Sequence, residues 1–292
     1  MVKTYIQLYS EARRKLAQQE DADYAAFLAR QLILHVSGMS NAQFLADQQM
    51  YAPEEVVTRM EAGVDRLCTG EPLAYVLGEW EFYGLKLSVT PDVLIPRDDT
   101  CAVAQLAIGQ ALFLPESPRI LDLCTGSGCI GLAIASRIKD ARVTLADISK
   151  EALAIAKKNA ASNKLSSKVS CVQADALGEP APFLGKFDMI VSNPPYIDAR
   201  DMKTLEPSVA NFEPHLALYG GEDGLDFYRA IVKNYKTALK PGGYIAFEFG
   251  EDQGDDICQI LINNGFTILE RTKDFHDTER AVLAQLGGKE DT

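Results

Sequence analysis

The chain has 292 residues, 29 of them Lys or Arg and 41 Asp or Glu, for a net charge of −12 at pH 7, and 47% of its residues are hydrophobic. That length predicts two domains, the apolar fraction supports packed cores, and the acidic balance offers no broad basic surface for duplex nucleic acid. No run approaches the roughly 20 apolar residues that span a bilayer, and no charged-then-apolar leader opens the sequence. The first 70 residues read as helices. Tyr5, Leu8, Ala12 and Leu16 keep helical spacing, as do Tyr24, Leu28, Leu32 and His35 after a cap at Asp21 or Asp23. Gly38 ends that second helix, Ser40 caps a short third, and Pro53 opens a fourth that runs to about Cys68. The apolar stripes suit a small helical bundle, and His35 reads as a packed histidine. Residues 71–91 change character. Trp80, Phe82, Tyr83, Leu85, Leu87 and Val89 are strand formers around Gly84, so a hairpin is expected in a connector between domains.

From residue 92 onward strand and helix alternate. A helix is expected from about Asp98 to Leu112 and a buried strand over residues 119–123. Further strands follow over residues 141–146, 169–174 and 187–192. A helix from Gly224 to Leu239 leads to a Pro241-Gly242-Gly243 turn and a strand over 244–249. A helix over 253–264 and strands over 266–273 and 280–286 close the pattern. The second domain is therefore α/β, with a Rossmann-like opening. Six cysteines stand at 68, 101, 124, 129, 171 and 258, none as C-x-x-C, beside three histidines. No metal site is expected, and reduced thiols place the protein in the cytoplasm.

The strand Arg119 to Leu123 runs into Cys124-Thr125-Gly126-Ser127-Gly128 and then a helical pattern. Gly126 and Gly128 let the backbone turn tightly and let a ligand approach it. Taken alone, this loop fits a nicotinamide dinucleotide nearly as well as any other nucleoside. The next strand ends at Asp147, about twenty residues beyond the loop, where an acid accepts from ribose hydroxyls. The one after ends at Asp175, placed to accept from an adenine amine. The alternatives are a helix-cap acid for Asp147 and a turn residue for Asp175. No Gly-Lys-Ser/Thr run supplies cations for phosphates, so an acid-lined site suits a cationic ligand without phosphate. S-adenosylmethionine is such a ligand.

The apolar run Phe187 to Ser192 is followed by Asn193-Pro194-Pro195-Tyr196. Both prolines fix φ near −65° and lack an N–H, and each forces its predecessor to be extended. The stiff loop presents the Asn193 amide, the Pro194 carbonyl and the Tyr196 ring. Two acceptors side by side suit a planar NH2 group with two donors, and the ring suits stacking on a flat substrate. The target is the nitrogen of an amide or of an amino-substituted base.

These stretches together resemble a known family, the HemK-type release-factor glutamine methyltransferases, over nearly the whole chain. The resemblance is carried by the helical first domain, Tyr75-Val76-Leu77-Gly78, Glu81-Phe82-Tyr83-Gly84 and Val93-Leu94-Ile95-Pro96-Arg97. It continues through Asp122 to Gly128, Val191 to Ile197, Phe212-Glu213-Pro214 and Gly220 to Leu225. It implies a class I S-adenosylmethionine-dependent methyltransferase with a mostly parallel seven-stranded sheet in residues 92–292, preceded by a helical substrate-recognition domain in residues 1–70. It implies cofactor contacts from Cys124, Thr125, Gly126, Ser127, Gly128, Asp147, Asp175 and Asn193. Asn193, Pro194, Pro195 and Tyr196 would hold the substrate glutamine, with Arg97 also on the substrate, and Asn193, Pro194 and Tyr196 would carry catalysis. The resemblance further implies a bacterial class 1 peptide release factor as partner, methylated on the side-chain nitrogen of its Gly-Gly-Gln glutamine, with S-adenosylhomocysteine as product. The protein is expected to act as a monomer, without nucleic acid or membrane. Three positions depart from the family: Cys124 stands where glycine is usual, Asp98 for a proline and Cys101 for a glutamate. The alternatives are an adenine-N6 nucleic-acid methyltransferase, a ribosomal-protein glutamine methyltransferase and a non-catalytic binding protein. For the helical domain, the alternative to recognition is a mere cover.

Overall fold

The computed structural model describes residues 2–287. The chain forms two compact units. One runs to Glu79 and takes in Glu206–Phe212, and the other comprises Trp80–Leu205 and the chain from Glu213 on.

The first unit is helical. Helix α1 (Tyr5–Leu16) opens on a reciprocal capping box between Thr4 and Gln7 and buries Tyr5, Leu8, Ala12 and Leu16. The carboxylate of Asp21 accepts from the amides of Asp23 and Tyr24 to start α2 (Ala22–Ser37), and Gly38 stops it at φ 68°. The buried face of α2 is Ala25, Leu28, Ala29, Leu32, Ile33 and Val36. Tyr24, expected on that face, is 46% exposed. The paired apolar positions of a wide stripe centre it one residue further round the helix. Ser40 and Gln43 box the start of α3 (Asn41–Asp47), and α4 (Glu54–Leu67) follows Pro53. At Gly63 of α4 an added Cβ would lie 2.7 Å from Leu32 Cδ1, so the glycine sets how closely α2 and α4 pack. His35 Nδ1 lies 3.2 Å from Glu79 Oε1, a packed and paired histidine. Helix α5 (Leu73–Leu77) falls inside the expected connector. At five residues it is too short to show a helical period.

The second unit starts with a hairpin of β1 (Glu79–Phe82) and β2 (Leu85–Ser88). Its two turn residues, Tyr83 and Gly84, have φ of 53° and 77°, the primed-turn geometry that matches strand twist. The helix expected from Asp98 begins as a 3-10 turn over Asp98–Thr100 and becomes α6 (Cys101–Ala111). Then come β3 (Arg119–Leu123), α7 (Cys129–Arg137), β4 (Arg142–Asp147), α8 (Lys150–Ser162), β5 (Val169–Gln173) and β6 (Phe187–Ser192). Helix α9 (Pro207–Phe212) belongs to the helical unit. The α/β unit resumes with α10 (Asp226–Asn234), β7 (Leu239–Glu248), α11 (Gly254–Asn263), β8 (Phe266–Lys273) and β9 (Glu279–Leu286).

The seven strands lie in the order β5-β4-β3-β6-β7-β9-β8. The first five are parallel, and β9 runs antiparallel between β7 and β8. All six residues of β6 are buried, as befits a central parallel strand covered on both faces. Helices α6, α7 and α8 pack on one face with Ile120, Val143, Leu145, Met189 and Val191. Helices α10 and α11 pack on the other with Leu121, Leu123, Ile190, Ile245 and Phe247. Strand order reverses between β3 and β6, so a crevice opens at their carboxyl ends.

Pro241, Gly242 and Gly243, expected as a turn before a strand, lie within β7. Its partner register on β6 jumps from Phe187–Leu239 to Met189–Tyr244, which leaves residues 240–243 as a bulge with Gly242 at φ 71°. The bulge brings Lys240 Nζ to 2.7 Å from the buried Asp188 carboxylate.

Candidate active site

The loop after β3 makes three departures to positive φ: Cys124 at 60°, Gly126 at 54° and Gly128 at 85°. Cys124 thus sits in the left-handed region that favours glycine. At Gly126 an added Cβ would meet nothing within 4 Å, so this backbone faces open space. Gly128 begins α7, and a Cβ there would come within 3.2 Å of Leu132 and Leu145. Gly131 is tighter still: a Cβ would fall 2.3 Å from Leu145 Cδ2 and 2.8 Å from Asp122 Oδ2. Gly131 was missed from the sequence, although it completes the Gly-x-Gly-x-x-Gly spacing whose third glycine seats helix on sheet.

The fully buried Asp122 ties this loop down. One oxygen accepts from Thr125 Oγ1 at 2.6 Å and from the Gly131 amide at 2.9 Å. The other has no partner, and burial pushes the carboxyl up to about 7. Behind the loop, Asn159 is also fully buried. It receives the Ser88 amide at 2.7 Å and donates to the Ser88 and Ser127 carbonyls at 3.0 and 2.9 Å.

The two acids at the next strand ends have structural work as well as a place in the crevice. Asp147 accepts from the Gly126 amide on one oxygen and the Ser149 amide on the other, each at 2.9 Å. Burial raises its carboxyl above the usual range. Each oxygen keeps a second lone pair, so shaping the loop does not preclude accepting from a ligand. Asp175 accepts from the Leu177 amide at 2.9 Å as a turn residue, and its exposed side chain also faces the crevice.

Asn193 leaves the end of β6. Ser192 pairs in register with Phe247 of β7, so Asn193 stands beside Glu248. Glu248 is 2% exposed, has Thr100 and Asn193 as neighbouring side-chain donors, and is pushed up to about 8 by burial. The Tyr196 backbone is gripped by glycines. A Cβ at Gly220 would lie 2.6 Å from its Cα, and one at Gly224 2.3 Å from its carbonyl oxygen, which also accepts from Gln253 Nε2 at 3.0 Å. The ring packs against the core on the α10 face, and burial holds the phenol well above its usual range.

These groups meet in a cleft of about 370 Å³. Of the residues expected at the site, Cys124, Thr125, Gly126, Ser127, Asp147, Asp175, Asn193 and Pro195 line it. Gly128, Pro194 and Tyr196 are not in the lining, but each adjoins a residue that is. Arg97 is outside it, paired with the buried Glu213, which also accepts from the Ile95 amide at 3.2 Å. That pairing joins the segment carrying Leu94 and Pro96 to the one carrying Pro214, Leu216 and Ala217, all of which line the cleft. Glu213 and Glu248 were not singled out as site residues. Their roles depend on partners 116 residues away for Glu213 and on a neighbouring strand for Glu248. No Lys or Arg is among the described residues of the lining, whereas Asp92, Asp147, Glu151 and Asp175 are. The open backbone at Gly126 and the buried, unpartnered Ser127 hydroxyl add room and a donor. These features fit a cationic nucleoside without phosphate.

Residues 104–216 match the Methyltransferase small domain family, and residues 7–78 match the PrmC N-terminal domain family. The release factor glutamine methyltransferase of Clostridium acetobutylicum is 43% identical over 217 residues, covering 74% of this chain and 76% of the relative. The protein of the same name from Haemophilus influenzae is 35% identical over 291 residues, covering 96% of this chain and 98% of the relative. Among solved structures, the hMettl16 catalytic domain in complex with MAT2A 3'UTR hairpin 6 aligns over 81% of this chain and 83% of its own. Its TM-score is 0.55 and its identity 16%, a likeness of fold alone. Glycine loop, strand-end acids, sheet order and these relatives agree, and the chain belongs to the release factor glutamine methyltransferase family.

Proposed function

We propose that this chain methylates the side-chain amide nitrogen of the Gly-Gly-Gln glutamine in a class 1 peptide chain release factor, using S-adenosylmethionine. The observation that carries the reading is that Asn193 and the Gly126 loop line one cleft at the β3/β6 reversal. The backbone of residues 124–127, Asp147 and Asp175 would hold the cofactor, whose sulfonium makes the methyl electrophilic. An amide nitrogen is a weak nucleophile because its lone pair is delocalised into the carbonyl. The residues of the chain therefore work by alignment and electrostatics. The Asn193 oxygen accepts one N–H of the glutamine, and the Pro194 carbonyl is the second acceptor of the clamp. Together they aim the lone pair and stabilise positive charge developing on nitrogen. Tyr196, held by its glycine neighbours, keeps the loop in shape. After transfer the nitrogen is strongly acidic and gives its proton to water, so no dedicated base is needed.

The helical unit is proposed to recognise the body of the release factor, because one glutamine side chain offers too few contacts to be selected alone. The six cysteines are free, and no helix among the described residues is long and apolar enough to cross a membrane. A monomer working in the cytoplasm is part of the same proposal, and free thiols suit that reducing compartment. Incubation with methyl-labelled S-adenosylmethionine tests the reading. Label on the release-factor glutamine is expected, and label on adenine in DNA with none on the factor would overturn it.

A further inference from the structure

The side chain of Asn193 has two ends of opposite character. Its oxygen accepts from a substrate NH2, and its own NH2 repels one. Nothing in the Asn-Pro-Pro-Tyr sequence decides which end faces the cleft. We propose that Glu248 decides it: the buried carboxylate at the end of β7 holds the Asn193 amide nitrogen, turning the Asn193 oxygen into the cleft. Glu248 is thus a positioning residue, and the inference rests on the glutamine-clamp reading above.

Four observations carry it. The β6–β7 register places Glu248 beside Asn193 on neighbouring parallel strands. The side chain is buried, and one of its oxygens has no partner. A buried carboxylate with spare acceptor capacity draws donors, and the donors beside it are Thr100 and Asn193, both of which line the cleft. The Glu248 backbone is itself fixed, because Tyr228 Oη donates to its carbonyl at 2.8 Å. An ionised carboxylate only accepts, so it selects a single amide orientation. A protonated one donates and reverses the preference.

The ionisable groups facing it are Arg280, Asp99, Tyr196, Tyr228, Cys101 and Cys129. Arg280 favours the carboxylate, while burial and Asp99 oppose it, leaving the group at about 8. Turnover should therefore rise with pH through that value as the acceptor forms.

The test uses the full chain with intact release factor and labelled S-adenosylmethionine. Glu248→Gln keeps the volume but presents an amide that accepts or donates equally well. Its kcat should fall about tenfold or more, with KM for the factor and affinity for S-adenosylhomocysteine held within about twofold. In an Asn193→Ala background the same substitution should change kcat by less than about twofold, because the group it positions is gone. Wild-type kcat should climb between about pH 7 and about pH 9, and Glu248→Gln should be level there. A variant with wild-type kcat, a variant that keeps the wild-type pH dependence, or a level wild-type profile would each overturn the positioning role and leave the proposed function intact. Failure of the wild type to label the release factor takes down both.

Discussion

Single substitutions at Asn193 and Cys124 probe the clamp and the glycine-rich loop of this cleft separately. Removing the Asn193 amide takes away an acceptor that matters most as charge develops on the substrate nitrogen. Asn193→Ala should lose on the order of 100-fold in turnover, by analogy with the loss of one oxyanion donor. Calorimetry with S-adenosylhomocysteine should still find the cofactor bound. Near-wild-type turnover in that variant would remove the clamp from the mechanism. Cys124 departs from the family's usual glycine, and its φ of 60° gives the physical reason glycine is usual. A left-handed non-glycine residue costs roughly 1–2 kcal/mol, which the burial of the Cys124 side chain against the core on the α10 face partly offsets. Cys124→Gly should therefore unfold within about 1 kcal/mol of wild type, whereas β-branched Cys124→Val should be destabilised by about 2 kcal/mol or more. Thermal unfolding separates the two, and equal Tm values would show that the loop relaxes freely.

At the scale of elements, Asp122 and Gly131 fasten the start of α7 to β3 and β4. Gly131→Ala would force a methyl into Leu145 and Asp122, an overpacking that costs typically 1–3 kcal/mol. Chemical denaturation checks the loss, and wild-type stability would mean that α7 shifts without penalty. The carboxyl of Asp122 ionises near 3.8 when exposed and near 7 in the folded protein. The folded state therefore binds an extra proton between those values, and its stability falls as pH rises through that window. Asp122→Asn has no such proton to lose. Its stability relative to wild type should improve between about pH 5 and about pH 8, measured by urea unfolding at both. A constant difference would place the ionisation of Asp122 elsewhere.

Taken whole, the molecule has a unit that carries a cleft and a helical unit whose described residues contribute none of the cleft's lining. On the helical unit Tyr24 and Phe27 are each 46% exposed and stack at 6.1 Å. Aromatic side chains are enriched at protein interfaces, and Tyr is among the residues that most often anchor them. If the helical unit reads the body of the factor, replacing both by alanine should raise KM for intact release factor about tenfold. Rates on a short Gly-Gly-Gln peptide should not change. An equal effect on both substrates, or none on either, would count against recognition by this face.

Periodicity and punctuation carried much of the architecture. Capping residues such as Ser40 and the strand–loop–helix run from Arg119 to Ala135 act through neighbours a few residues away, so the sequence alone located them. The same local chemistry marked Asn193 to Tyr196 and the acids Asp147 and Asp175. Other features were decided by distant partners. The short α5 and the bulge at residues 240–243 depend on packing and strand register, which no local period encodes. Whether Arg97 meets substrate or pairs with Glu213, and whether Tyr196 faces the cleft or the core, depends on chain segments that only the fold brings together. Glu248 is the sharpest case. In sequence it is one acid near the end of an apolar run, and only the parallel pairing of β6 with β7 sets it, buried, beside Asn193. A buried charge acquires its meaning from its neighbours, and those neighbours are chosen by tertiary structure.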